Sequence, residues 1–269
     1  MIKIIFWLVL IGGLEIIVRL FNIPEYLFPK PSVIGLTLLD NWSYLLKHSW
    51  YFIFEFGSGL LLSIIISYIL SVCIATSKLL NELFMSVIMV FQTIPKIVLA
   101  PFILLWLGFG FGPKIFFSVF LGVLPILINT VKGLTTIDDS IEDVVKTYSI
   151  SKLNYLLKIQ IPNSIPYFFT GIKTSIPFII SGVIVGEWLI GNEGLGYVIF
   201  SETASFNIPL AMASLVCISI ICLIVYMYAS KLESKMVYNE NSICKRDIKD
   251  ICESTPKCYF SNFLSYRLW

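Results

Sequence analysis

IEDVVKTYSISKLNYLLKIQIPNSIP, residues 141–166, is the longest polar interruption between long apolar runs ahead of the C-terminal tail. It is patterned as well as polar. Ile141, Val144, Val145 and Tyr148 recur at i, i+3, i+4 and i+7, which gives a short helix one apolar face. Glu142, Asp143 and Lys146 take the other face. Ser149 to Ser151 interrupts the run, and Ser151 is placed to cap a second short helix through Leu157. Pro162 and Pro166 are expected to close the segment. A structured loop between membrane spans offers a surface to something outside the bilayer.

The composition sets the frame for that loop. Of 269 residues, 57% are apolar and 13% charged, against roughly a quarter charged in soluble domains. This is an all-α, polytopic membrane protein. The net charge of +2 gives no reason to propose nucleic acid as a partner. Cys73, Cys217 and Cys222 sit in apolar runs, and Cys244, Cys252 and Cys258 in the tail. They read as small buried hydrophobes and free thiols, not as a disulfide framework. A tail zinc site lacks a fourth ligand, because the single histidine, His48, is remote. The apolar N-terminus contains Glu15 and Arg19 and has no small-residue cleavage site, so it reads as a retained first helix.

A span needs about 20 apolar residues. Six candidates follow: 4–20, 52–75, 83–107, 115–131, 167–190 and 208–230. Lys3, Lys78, Lys132, Lys146, Lys152, Lys158, Lys231 and Lys235 then fall on one side, and Lys30, Lys47 and Lys114 on the other. The positive-inside rule places both termini and the loop in the cytoplasm, in the cell (plasma or inner) membrane. Residues 1–230 form the membrane domain, with the loop at 138–166. Residues 231–269 form a cytoplasmic tail, helical only near 231–238. Trp42, Tyr44, Trp50 and Tyr51 read as interfacial anchors, with His48 interfacial beside them.

Polar residues inside the spans mark the other candidates. The third span contains Gln92, Pro95 and Lys96, then Pro101. Each proline removes a helical hydrogen bond, and a charge at the bilayer centre costs roughly 2.5–3.5 kcal/mol. Two readings stay open: a kink with Lys96 snorkelling, or a broken helix lining a transport path. The sequence GFGFGP at 108–113 makes a tight external turn. Ser181 and Glu187 mark the fifth span. Glu187 is either an interfacial, solvated carboxylate or a path-lining or gate residue. GNEGLG at 191–196 follows no strand and is not a phosphate loop. The chain has no P-loop, so any uphill transport draws energy from a partner or an ion gradient.

The loop resembles the cytoplasmic EAA loop of ABC-importer permeases: an acidic residue and two alanines, three residues, Gly, nine residues, then Ile-x-Leu-Pro. Here Asp143-Val144-Val145, Ser149, Ile159, Ile161 and Pro162 keep every spacing. FPKPSV (28–33), IPKIVLAP (94–101), LWLGFG (105–110), LPILIN (124–129) and EGLGY (193–197) resemble, in order, segments of the nitrate/sulfonate/taurine/bicarbonate-type permeases. The resemblance covers about 28–230. It implies a type I importer permease, not itself an enzyme. Two copies of the chain would form the path, two ABC ATPase subunits would bind ATP, and an extracytoplasmic binding protein would deliver the solute. This chain would bind no cofactor. Asp143, Val144, Val145, Tyr148, Ser149 and Pro162 would form the ATPase-coupling element, and Gln92, Pro95, Lys96, Ser181 and Glu187 a possible translocation path. Ser149 stands where the family has Gly, so either this elbow accepts Ser or the coupling is altered. The implied substrate is a small anion or an organic, sulfonate-like or vitamin-precursor solute. The alternative from the residues alone is a carrier or channel that works without an ATPase.

Overall fold

The computed structural model describes residues 2–137, 141, 145, 147 and 151–253. Helices account for the regular structure among them, with no strand.

Helix α1 (Ile2–Leu20) leads to α2 (Pro31–Asp40), whose first turn begins at a proline. Glu15 reaches across from α1. Its carboxylate accepts from the Ser32 amide (3.0 Å) and the Ser32 hydroxyl (2.8 Å), and it pairs with Arg19. A carboxylate there meets the unpaired N–H groups and positive end of α2.

Helix α3 (Trp42–Ala75) is 34 residues long and starts ten residues before the expected span. Gly59, Ser63, Ser67 and Ser71 recur every fourth residue on its buried face. Small residues at that spacing let two helices approach closely. Ser67 donates to the Val123 carbonyl of α6 at 3.0 Å.

The expected single third span is broken. Helix α4 (Lys78–Thr93) ends before Pro95, a 3₁₀ turn covers Lys96–Leu99, and α5 (Ala100–Leu107) leaves at 85° to α4. Pro95 is the cause: it forces Ile94 into extended backbone (φ −75°, ψ 127°) and has no N–H to continue the helix. The following turn is confined to Gly108 and Gly110, both at positive φ, and α6 (Phe111–Thr135) begins immediately after.

The second short helix of the loop exists and is capped as expected. The Ser151 hydroxyl accepts from the Asn154 amide, opening α7 (Lys152–Tyr155). The prolines do not close the segment, however. A π-helical turn, Leu156–Gln160, joins α7 to α8 (Ile161–Ile190), and Pro162 and Pro166 both lie within α8. The wider turn leaves room for the Pro162 ring, which would otherwise meet the carbonyl four residues back.

Helices α6 and α8 make the most extensive contact in the chain. They run antiparallel along a small-residue seam that pairs Gly133 with Ser164, Gly171 with Ile126, Gly182 with Ser118, and Gly186 with Lys114. Short α9 (Leu195–Ala204) and long α10 (Ile208–Glu253) complete the bundle. The tail is therefore helical well past 238. No Gly or Pro occurs between Pro209 and Pro256, so nothing in the backbone stops α10 earlier. Lys173 of α8 pairs with Glu233 of α10.

Among the described residues, four helical stretches are long and apolar enough to cross a membrane: Trp42–Ala75, Phe111–Thr135, Lys152–Leu189 and Ile208–Lys235. The bent α4–α5 pair makes a fifth if it counts as one span. The 19 residues of α1 include Lys3, Glu15 and Arg19, and it does not join them on composition.

Candidate functional site

Three places concentrate polar groups that an apolar bundle must account for. The first is the base of the 141–166 loop. Asn163 of α8 donates to the carbonyls of Gly133 and Thr136, both at 2.8 Å. Gln160 donates to the Leu134 carbonyl at 3.0 Å. The last turn of a helix leaves carbonyls without partners, and here two side chains of the returning strand of chain supply them. The end of α6 and the start of α8 are thereby stapled together. Within the loop, Ile141, Val145 and Thr147 are helical, and Val145 is half-buried. Asp143, Val144, Tyr148 and Ser149 lie outside the described residues. Pro162 is half-buried at the start of α8, beside the staple.

The staple predicts a measurable cost. Asn163→Ala removes two hydrogen bonds, worth roughly 0.5–1.5 kcal/mol each. The expected result is a lower unfolding temperature together with faster amide exchange in the last turn of α6. Unchanged exchange there would show that the two bonds do not hold the loop base.

The second place is the α4–α5 bend. Gln92 and Pro95 are exposed and Lys96 is half-buried, with no ion pair among the described residues. Ser181 is exposed on α8, its hydroxyl turned back to the Pro177 carbonyl at 2.8 Å. The broken-helix geometry holds, and these four residues remain on surfaces of the chain.

Glu187 does not join them. It is 0% exposed, which overturns its reading as a solvated interfacial carboxylate and takes it off any surface of this chain. It belongs to the third place, a buried cluster drawn from three helices and a loop. Lys114 of α6 donates to Glu55 Oε1 of α3 at 2.9 Å. Glu187 Oε2 accepts from the Gly196 amide at 2.6 Å. His48 is also buried: its Nδ1 accepts from the Gly194 amide at 3.1 Å, and its ring contacts Tyr44 and Tyr197. The turn ending at Gly194 and the first turn of α9 are thus pinned to α3 and α8 by two backbone donors. Just outside, Lys47 stands 3.8 Å from Glu193.

Glu55, Lys114 and His48 carry no special motif. Glu55 is nevertheless a lone acid in an apolar run, and an intramembrane charge implies a partner. Lys114, counted above as an outer-side charge, is 7% exposed and paired with Glu55. Among the described residues no group of His, Cys, Asp and Glu is arranged to hold a metal.

Comparison with known proteins adds two findings. Residues 59–238 match the family described as "Binding-protein-dependent transport system inner membrane component". A probable ABC transporter permease protein of Haemophilus influenzae is 28% identical over 225 residues, 84% of this chain and 92% of the relative. A formylaminopyrimidine transport permease protein of Halalkalibacterium halodurans is 30% identical over 231 residues, 86% of this chain and 92% of that one. A nitrate import permease protein of Leptolyngbya laminosa is 25% identical over 182 residues, 68% and 65% respectively.

Proposed function

Because the chain belongs to the family of binding-protein-dependent transport system inner membrane components, we propose that it is the path-forming subunit of an ATP-driven importer and is coupled to its ATPase through the loop around Val145. It is a multi-pass membrane protein and a transport permease, not an enzyme in its own right. ATP binds to a separate ATPase, present in two copies, and an extracytoplasmic binding protein delivers the solute. A second copy of the chain completes the path. Both termini and the loop face the cytoplasm. Gln92, Pro95 and Lys96 at the α4–α5 bend and Ser181 on α8 contribute to the path.

The observation that carries the coupling is the stapled loop base. Asn163 and Gln160 tie the end of α6 to the start of α8, so displacement of the loop between them would move both helices. An apolar knob of Val144, Val145 and Tyr148 seats in a groove of the ATPase, with Asp143 pairing to a cation there. The transported solute is a small anion or a vitamin-precursor-like organic molecule, in line with the nitrate and formylaminopyrimidine named for the relatives.

Reconstitution in proteoliposomes tests this directly. Uptake is expected only when the ATPase, ATP and the binding protein are all present. Uptake by this chain alone, without ATP, would instead establish the carrier or channel.

A further inference from the structure

The chain that returns from the loop to the bundle overshoots its partner helix. Lys152–Leu189 is one helical stretch of 38 residues. At 1.5 Å per residue it extends about 57 Å, whereas a bilayer with its headgroups is about 40–45 Å thick. The excess lies on the loop side. Gly186 rests against Lys114 near the start of α6, and Ser164 packs on Gly133, close to where α6 ends at Thr135. Between those points the 25 residues of α6 already span the about 30 Å of hydrocarbon. Leu157 and Leu153 stand about 10 Å and about 16 Å beyond Ser164. They are 52% and 64% exposed, at a level where lipid tails do not cover them.

The π turn sets their direction. Gly186, Gly182, Gly171 and Ser164 of α8 all face α6, and steps of four, seven or eleven residues are close to whole turns of an α-helix. The same steps continued backward reach Leu157 and Leu153, so an unbroken helix would aim both leucines at the α6 side. Instead, the Ile161 amide donates to the Leu156 carbonyl, five residues back. A turn closed that way holds about one residue more than an α turn, and one residue is about 100° of rotation. The two leucines are swung roughly a quarter turn off the seam and share an open face at i, i+4 spacing.

We propose, on the coupling reading above, that Leu153 and Leu157 form a second apolar contact with the ATPase, beside the one centred on Val145. The overhang puts them outside the bilayer. They also belong to the same loop as Ile141, 40% exposed, and Val145, half-buried. The ATPase then holds the loop by both arms, and its movement reaches α8 directly through the returning arm.

Site-specific photo-crosslinking tests this in the full-length chain, expressed with its ATPase and kept in membrane vesicles. A benzophenone side chain at Leu153 or Leu157 should form an adduct with a chain that mass spectrometry shows to carry a P-loop. Val145 is the reference position. Asn154, also exposed but about 100° round the helix from Leu153, should give only a small fraction of the adduct. Adduct at Val145 with none at the two leucines, lipid adducts at the leucines, or equal adduct at Asn154 would each overturn the proposal and leave the coupling reading standing. No P-loop adduct at Val145 or at the leucines would overturn both. In the same vesicles, Leu153→Asp/Leu157→Asp should cut the ATPase that co-purifies by at least about tenfold, a shift of 1.4 kcal/mol. The amount of inserted chain should not fall, because neither leucine lies in the bilayer, and Leu153→Met/Leu157→Met should keep the ATPase. Undiminished co-purification with the aspartate variant would also overturn the second contact.

Discussion

Val145→Asp is expected to reduce uptake and binding-protein-stimulated ATP hydrolysis by at least tenfold, while the chain still inserts and folds. Val145 is helical and only half-buried within its own chain. Its exposed part is available to the ATPase groove of the proposed assembly. A carboxylate forced into an apolar groove costs several kcal/mol unless it finds a partner, and each 1.4 kcal/mol is tenfold in an equilibrium. The conservative Val145→Ile should retain most of the activity, because it keeps the apolar face. The measurements are uptake in proteoliposomes and co-purification of the ATPase. If Val145→Asp transports like the unaltered chain, Val145 is not part of the coupling surface.

The second large effect is structural. Gly194→Ala is expected to release loop 191–196 from the bundle and to lower stability by several kcal/mol. Gly194 adopts φ +110° and ψ 163°, a region that L side chains rarely enter, and such strain costs about 1–3 kcal/mol. A methyl group there would also overlap the Glu187 carboxyl group. Glu187 would have to move, losing the Gly196 amide, and hydrogen bonds to charged groups contribute about 1.5–3 kcal/mol each. Gly57→Ala is the matched control: it lies in α3, and an added methyl group meets nothing within 4 Å. Limited proteolysis at 191–196 and thermal unfolding should separate the two variants clearly. Equal behaviour would mean that the loop is not held by the Glu187 contact.

Several features were readable from the residues because they depend on neighbours in sequence. Apolar runs gave the long helices, Ser151 gave a cap, and Pro95 marked a kink or a break in the third span, of which the structure has the break. The family resemblance rested on spacing and matches the family found by comparison. The buried cluster could not be read in the same way. Glu55, Lys114 and Glu187 are far apart in the chain, and hydropathy scores each one singly without pairing it. The staple at the loop base was equally hidden. Asn163 and Gln160 look like ordinary loop polars, and their acceptors are backbone carbonyls, which a sequence does not display. The prolines misled for a local reason. Proline ends a regular helix, but the π turn before Pro162 absorbs it, so α8 continues. In the tail, mixed polar composition suggested irregular chain, whereas the lack of any breaker allowed α10 to run on.

The seam between α6 and α8 has a mechanical consequence. Along it, backbone rests almost directly against neighbouring backbone or Cβ atoms, with Gly171 on Ile126 and Gly182 on Ser118. Long, rotatable side chains are the compliant springs of most helix contacts, and at Gly171 and Gly182 backbone meets backbone instead. Two helices joined this way, with Asn163 bolting one end, resist bending as one strut. A load on the 138–150 segment would arrive at the far end nearly undiminished, where Gly186 meets Lys114.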